Sequence, residues 1–405
     1  MSRAVAVVAH GAADDPHAIR NAGRELLSLA LIEARNHLLA RLAQDESSAT
    51  ARRAALHAGW FQEYWIARHL QRQRGEGCDA AAPRLAGIEP CIDGWIAGAD
   101  AGLPDAATLR AVLAETLDTS LDLLARCPED DSALHVYRNA LLHEDRLCER
   151  LAEHLRDGAP PARVEREPIW LPARRWLLGS AAGPQAGHVP HNERWAHEVA
   201  VPEFEIDAQP VSWSRYVEFA SDGGYDRRDL WSDAGWAWVE GEERRAPRFV
   251  EQMQGGVMVQ GRSVEAGLRR TAEAGLRRTA EAGLRRVAAG QPAMHVSRYE
   301  AEAWCRWAGR RLPTEPEWEQ SACTAGSRGF VWGDVFEWVA GSARAWPGAP
   351  AQAPDCLDGI PQPGTEGVLR GASFATLARR RHPKARRFAL PVADTMFCGF
   401  RSCTF

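Results

Sequence analysis

No Cys-x-x-Cys pair occurs in the 405 residues, and the nine cysteines (Cys78, Cys91, Cys127, Cys148, Cys305, Cys323, Cys356, Cys398 and Cys403) are odd in number and scattered. That pattern argues against both a zinc ribbon and a disulfide framework, and most of these thiols read as ordinary buried side chains. Long apolar runs are missing too. None approaches the ~20 residues that a bilayer span requires, and the opening "MSRAVAVVAHGAADDPH" has no apolar core of the secretory kind, so a cytoplasmic protein without a membrane partner is expected. Basic residues are nowhere concentrated: the formal net charge is −5, 25% of residues are charged, and Lys and Arg are spread along the chain. Nucleic acid is therefore not an expected partner. Tyrosine is scarce, five against sixteen tryptophans, and 13 of those 16 tryptophans follow residue 169. The two halves are built differently.

A chain of this length can hold two or more domains, each with its own core. After an N-terminal tail (1–16), residues 17–157 are rich in Ala, Leu, Arg and Glu at helical spacing. Four helices are expected, at about 18–45, 51–73, 106–127 and 131–156, with a Gly- and Pro-containing crossover over 74–105. "RDGAPPARVEREPIWLP" then reads as an interdomain linker, with the boundary at 158–168. Residues 169–405 alternate short apolar stretches with Gly, Pro, Asn and Asp, and offer two convincing helices, "WSRYVEFASDGG" and "SRYEAEAWCRWAGRR". The fold class expected is multidomain: α, then α+β. Within the second part, 265–288 carries a three-fold repeat, "EAGLRRTA EAGLRRTA EAGLRRVA". A period of eight drifts roughly 80° per repeat around an α-helix, so it fits no heptad seam, and a solvated, partly helical surface insertion is expected.

One stretch of the helical half has the form of a metal-binding helix with a piece missing. In "LLHEDRLCERL" (141–151), His143 is followed four residues later by Leu147, where a second histidine would share its face. Leu147, Leu151 and Leu155 continue as an i+4 core stripe. Neither His135 nor His154 can substitute, since they lie roughly 12 and 16 Å along the helix from His143. Arg146 shares the His143 face and would repel a cation. Taken alone, His143 and His57 read as bundle histidines with ordinary hydrogen bonds.

Longer motifs change that reading. "GQPAMHVSRYEAEAWCRWAGRRLPTEPEWE" (290–319), with "HNERWAHEVAVPEFEID", "WGDVFEW", "VLRGASF" and "GFRSC" in order, resembles the formylglycine-generating-enzyme and sulfoxide-synthase superfamily over nearly all of 168–405. The resemblance implies a C-type-lectin-like α+β domain. Pro313 and Thr314 read physically as a turn and helix cap, with Glu317 completing a capping box. "LHAGWFQEYWIARHL" (56–70) and "HVYRNALLHEDRLCERL" (135–151) are similar to the two ligand helices of the DinB-type four-helix bundle of ergothioneine synthases, whose second helix has the pattern H-x3-H-x-E. In that family three histidines hold a non-haem Fe(II). The resemblance maps them to His57, His143 and position 147, where Leu147 leaves an iron site that is weakened or lost.

The wording "HED" and the ending "RRFALPVADTMFCGFRSC" resemble the selenoneine-synthase branch, which joins a selenosugar to hercynine, the trimethylated histidine betaine. The resemblance implies hercynine, a selenosugar or thiol, and dioxygen as the small-molecule partners. Residues 85–109 contain no Arg or Lys to meet the carboxylates of a γ-glutamylcysteine substrate, which favours this branch over the ergothioneine type. A hercynine pocket needs an anion clamp and an aromatic face, for which Arg387 and Phe388 are the candidates. Each also reads as a surface Arg and a core Phe. Sulfoxide-forming relatives use a tyrosine of the second domain as acid, and this chain has no tyrosine after Tyr299. A catalytically inactive homologue that keeps the fold is thus the third alternative. Copper chemistry at Cys398 and Cys403 is disfavoured, because the pair is offset from where formylglycine-generating enzymes hold theirs.

Overall fold

The computed structural model describes residues 11–68, 102–181, 187–261, 284–350 and 361–405. A short helix α1 (Pro16–Arg20) is separated from α2 (Arg24–Leu42) by Asn21 and Gly23, so the single helix expected over 18–45 is two. Helix α3 (Ala49–Gln62) passes into a π-helical turn at Glu63–Arg68, and the remainder of its expected span lies outside the described residues, as does most of the crossover. Helices α4 (Ala106–Ala125) and α5 (Asp131–Leu155) complete the set. Ser48, Asp105 and Asp130 each accept a backbone N–H at the start of α3, α4 and α5, satisfying a donor that the helix itself leaves open.

α2 and α3 each pack against α4 and α5. Two apolar clusters lie between them, one around Leu27, Leu31, Phe61, Leu124 and Leu141, the other around Leu38, Leu56, Leu113, Leu147 and Leu151. Helix α5 is buried on both sides. Its leucines face these clusters, while Asp145, Glu149 and Glu153, four residues apart and hence on one stripe, face the second half of the chain.

The segment expected as a linker is strapped along that second half. The Arg163 N–H donates to Gly290 O at 2.9 Å, Arg163 pairs with Asp334, and Arg166 donates to Gly329 O at 3.0 Å. Beyond it come β1 (Ile169–Leu171), β2 (Arg174–Leu178), β3 (His197–Val201), β4 (Phe204–Ile206), α6 (Trp213–Ser221), α7 (Asp233–Gly241), β5 (Val250–Gln252), β6 (Met258–Gln260), β7 (Leu284–Arg286), α8 (Arg298–Trp307), α9 (Glu315–Thr324), β8 (Phe336–Ser342), β9 (Gly367–Gly371), β10 (Arg386–Ala389) and β11 (Cys398–Phe400). The largest sheet has the order β10-β9-β8-β11, antiparallel except for the parallel β8–β11 pair.

Tryptophan supplies what the short elements cannot. Trp304, Trp318 and Trp338 are fully buried, and Trp318 and Trp338 donate their indole N–H groups to Glu337 and Val296 O at 2.8 and 2.9 Å. At α9 the capping box expected from Thr314 and Glu317 is present: the Thr314 hydroxyl accepts from Glu317 N, and the Glu317 carboxylate accepts from Thr314 N at 2.7 Å. Of the repeat, 265–283 lies outside the described residues; its end, Leu284–Arg286, is strand β7, paired with β6.

Candidate functional site

α3 and α5 run side by side and bring His57 against His143, eighty-six positions apart in the chain. His57 Nδ1 lies 2.9 Å from His143 Nε2, a hydrogen bond in which one nitrogen carries the shared proton. The ring of Phe61 stacks on that of His143 with centroids 4.2 Å apart, and Trp60 lies 5.2 Å from the His57 ring. Burial holds the His143 pKa well below its ordinary value, helped by the positive charges of Arg146, Arg150 and Arg380; His57 is lowered by burial and by Arg150. Both shifts favour the neutral imidazole.

Leu147 lies one turn beyond His143, buried in the aliphatic cluster of Leu38, Leu56, Leu113 and Leu151. The neighbouring carboxylates are already engaged. Glu144 takes two hydrogen bonds from Arg35, at 2.6 and 3.1 Å, and one from Gln62 at 2.8 Å. Glu149, the glutamate of the H-x3-H-x-E pattern, accepts from Ser373 at 3.0 Å, from Thr376, and from Arg380 at 3.0 Å. Cys148 is buried and its thiol is pushed up by desolvation and by Asp145 and Glu144.

These residues do not fit a three-histidine iron site. Two imidazole nitrogens 2.9 Å apart could occupy adjacent corners of one coordination sphere, but the residue one turn on from His143 is Leu147, which has no donor atom, and no group of three His, Cys, Asp or Glu suited to a metal occurs among the described residues. His143 Nδ1 is buried without a hydrogen-bond partner, whereas a ligating histidine normally donates through its second nitrogen to an oriented acceptor. Three arginines add an unfavourable field for a cation.

The face of α5 turned towards the second half is closed by charge pairs that sequence reasoning missed. Arg379 forms two hydrogen bonds with Asp145, both 2.7 Å, with both side chains fully buried, and a third with Glu33. Arg387 is clamped by Glu153 at 2.8 and 3.0 Å and lies over the Phe336 ring. The signal was Asp145, Glu149 and Glu153 at i, i+4 and i+8, which reads as a solvated stripe until its partners are known. A cavity of about 50 Å³ remains between the two parts, bordered by Leu142, Arg146, Glu149, Arg380 and Arg387. Arg387 thus lines this cavity, while Phe388 packs into the cluster of Trp318, Val339 and Val368 with Arg386 over its ring. Successive strand residues point to opposite faces, so the structure does not bring Arg387 and Phe388 to one ligand. Cys398 and Cys403 sit in different apolar clusters as free thiols.

Residues 159–334 match the sulfatase-modifying factor enzyme 1-like domain, the C-type-lectin-like FGE-sulfatase class. The similarity extends through the helical half. The hercynine oxygenase of Mycolicibacterium smegmatis is 30% identical over 73% of this chain and 76% of its own length. Those of Mycolicibacterium thermoresistibile and Mycobacterium tuberculosis are 28% and 27% identical, over 93% and 85% of this chain and 94% and 88% of theirs. The chain belongs to the hercynine oxygenase family.

Proposed function

We propose that the chain takes hercynine as its substrate and belongs to the carbon–selenium bond-forming branch of its family, joining a selenosugar to the hercynine imidazole, with its metal position altered at Leu147. The observation that carries this reading is the meeting of His57 and His143 between α3 and α5, in a chain whose relatives named hercynine oxygenase align along nearly its whole length. The four packed helices support a bundle of the DinB kind, and the surroundings of His57 and His143 are the proposed place of the substrate. The absence of Arg and Lys from 85–109 favours a neutral selenosugar over γ-glutamylcysteine, the donor of the ergothioneine-type alternative. Fe(II) is the proposed metal, bound weakly by two imidazoles.

A second reading has its own support. The direct hydrogen bond between the histidines and the aliphatic packing of Leu147 suit a homologue that binds hercynine and forms no bond. Incubation with hercynine, Fe(II), dioxygen and either a selenosugar or γ-glutamylcysteine, followed by product mass, separates the cases. A selenium adduct supports the first reading and a sulfoxide the ergothioneine type. Hercynine binding by calorimetry without product from the wild type or Leu147→His supports the second, and no hercynine binding at all contradicts the proposal.

A further inference from the structure

We propose that the junction between the helices and the second half carries another ligand site, which takes a small carboxylate with an apolar or aromatic body. The site is a cavity of about 410 Å³ beyond the C-terminus of α5, within the range of roughly 300–1,000 Å³ typical of small-molecule pockets. Thirteen residues of helix, roughly 20 Å, separate His143 from Arg156, which lines it. It is therefore distinct from the position proposed for hercynine.

The charge of the cavity is of one sign. Among the described residues, Arg156, Arg248 and Arg285 line it and no Asp or Glu does. Arg248 is answered from behind by Asp394 at 3.1 Å. Arg156 and Arg285 have no carboxylate partner among the described residues, and Arg156 Nη1 is buried with no hydrogen bond. Arg156 is partly buried and Arg285 is exposed, so both guanidiniums are within reach of an incoming anion, and the planar fork of each matches a carboxylate. The guanidiniums of Arg156 and Arg248 lie 4.6 and 5.5 Å from the centre of one ring, Phe249, which fixes their position. His295 adds no charge, because burial lowers its pKa to about 4. The remaining wall is mostly apolar, with Trp213, Val287, Met294 and Phe397 beside the amides of Gln260 and Gln291, and is far larger than a bare inorganic anion needs.

The backbone supplies an independent observation. Five non-glycine residues among those described have positive φ, and three of them line this one cavity: Arg156 (51°), Phe249 (66°) and His295 (62°). At Arg156 this is the left-handed residue that closes α5; at Phe249 and His295 such conformations cost free energy and concentrate where surrounding structure holds a side chain for use. Here they present a guanidinium, an aromatic ring and an imidazole to the same space.

Calorimetric titration of the full chain with phenylacetate, phenylacetamide and inorganic phosphate tests the assignment. Phenylacetate is expected to bind about tenfold or more tighter than phenylacetamide, with no measurable phosphate binding. Arg156→Gln is expected to lose about tenfold in phenylacetate affinity, and Arg285→Gln, on an exposed strand, a smaller factor without loss of fold. Equal binding of the amide, binding of phosphate as tight as phenylacetate, or unchanged affinity in a folded Arg156→Gln together with Arg285→Gln would overturn it.

Discussion

His295 shows how burial alone sets a proton equilibrium. Its Nδ1–H donates to Asp394 O at 3.1 Å, and desolvation lowers its pKa from 6.5 to about 4. A depressed histidine contributes stability that is present above pH 6.5 and is lost as pH falls through 4, because the unfolded chain takes up the proton first. The shift corresponds to a loss on the order of 3 kcal/mol by pH 4. His295→Asn, which keeps a residue tolerant of positive φ, should be less stable at pH 7 and nearer the wild type at pH 4.5. Urea unfolding at both pH values checks this; an equal deficit at the two would contradict it. At this scale the pairing of His57 with His143 was legible, because each sits in a helix carrying a family motif. Their direct hydrogen bond was not, since helical spacing gives the face a side chain occupies and nothing of its partner across eighty-six residues.

The helices were legible where a cap or a period announces them. Thr314 and Glu317, three residues apart, mark the start of α9 by their side-chain chemistry alone, and Ser297 with Glu300 repeats the device at α8. Thr314→Ala should cost about 1 kcal/mol in equilibrium unfolding, while Thr314→Ser should be nearly neutral, because the hydroxyl that accepts from Glu317 N is retained. Equal loss in both would assign the effect to the threonine methyl. The break between α1 and α2 was harder to read, since the run of helix formers on each side hides Asn21 and Gly23. The acidic stripe of α5 was hardest. Its basic partners Arg379, Arg380 and Arg387 lie more than two hundred residues further on, and a local pattern of charges carries no record of them.

For the whole molecule, that stripe is what fastens the helices to the second half. Arg379→Met should destabilise by about 3–5 kcal/mol, because Asp145 is left fully buried without its counter-charge. The double variant Asp145→Leu/Arg379→Met should recover most of that loss. Additive losses in the cycle would mean that the two side chains do not act as a pair.

On the proposed mapping the chain keeps two metal-binding imidazoles, His57 and His143, and Leu147 at the third position weakens iron binding. Anaerobic Fe(II) titration of the wild type and Leu147→His measures it. Weak, substoichiometric loading of the wild type and a gain of about tenfold or more in affinity for the variant are expected. Equal and stoichiometric loading of both proteins would contradict it.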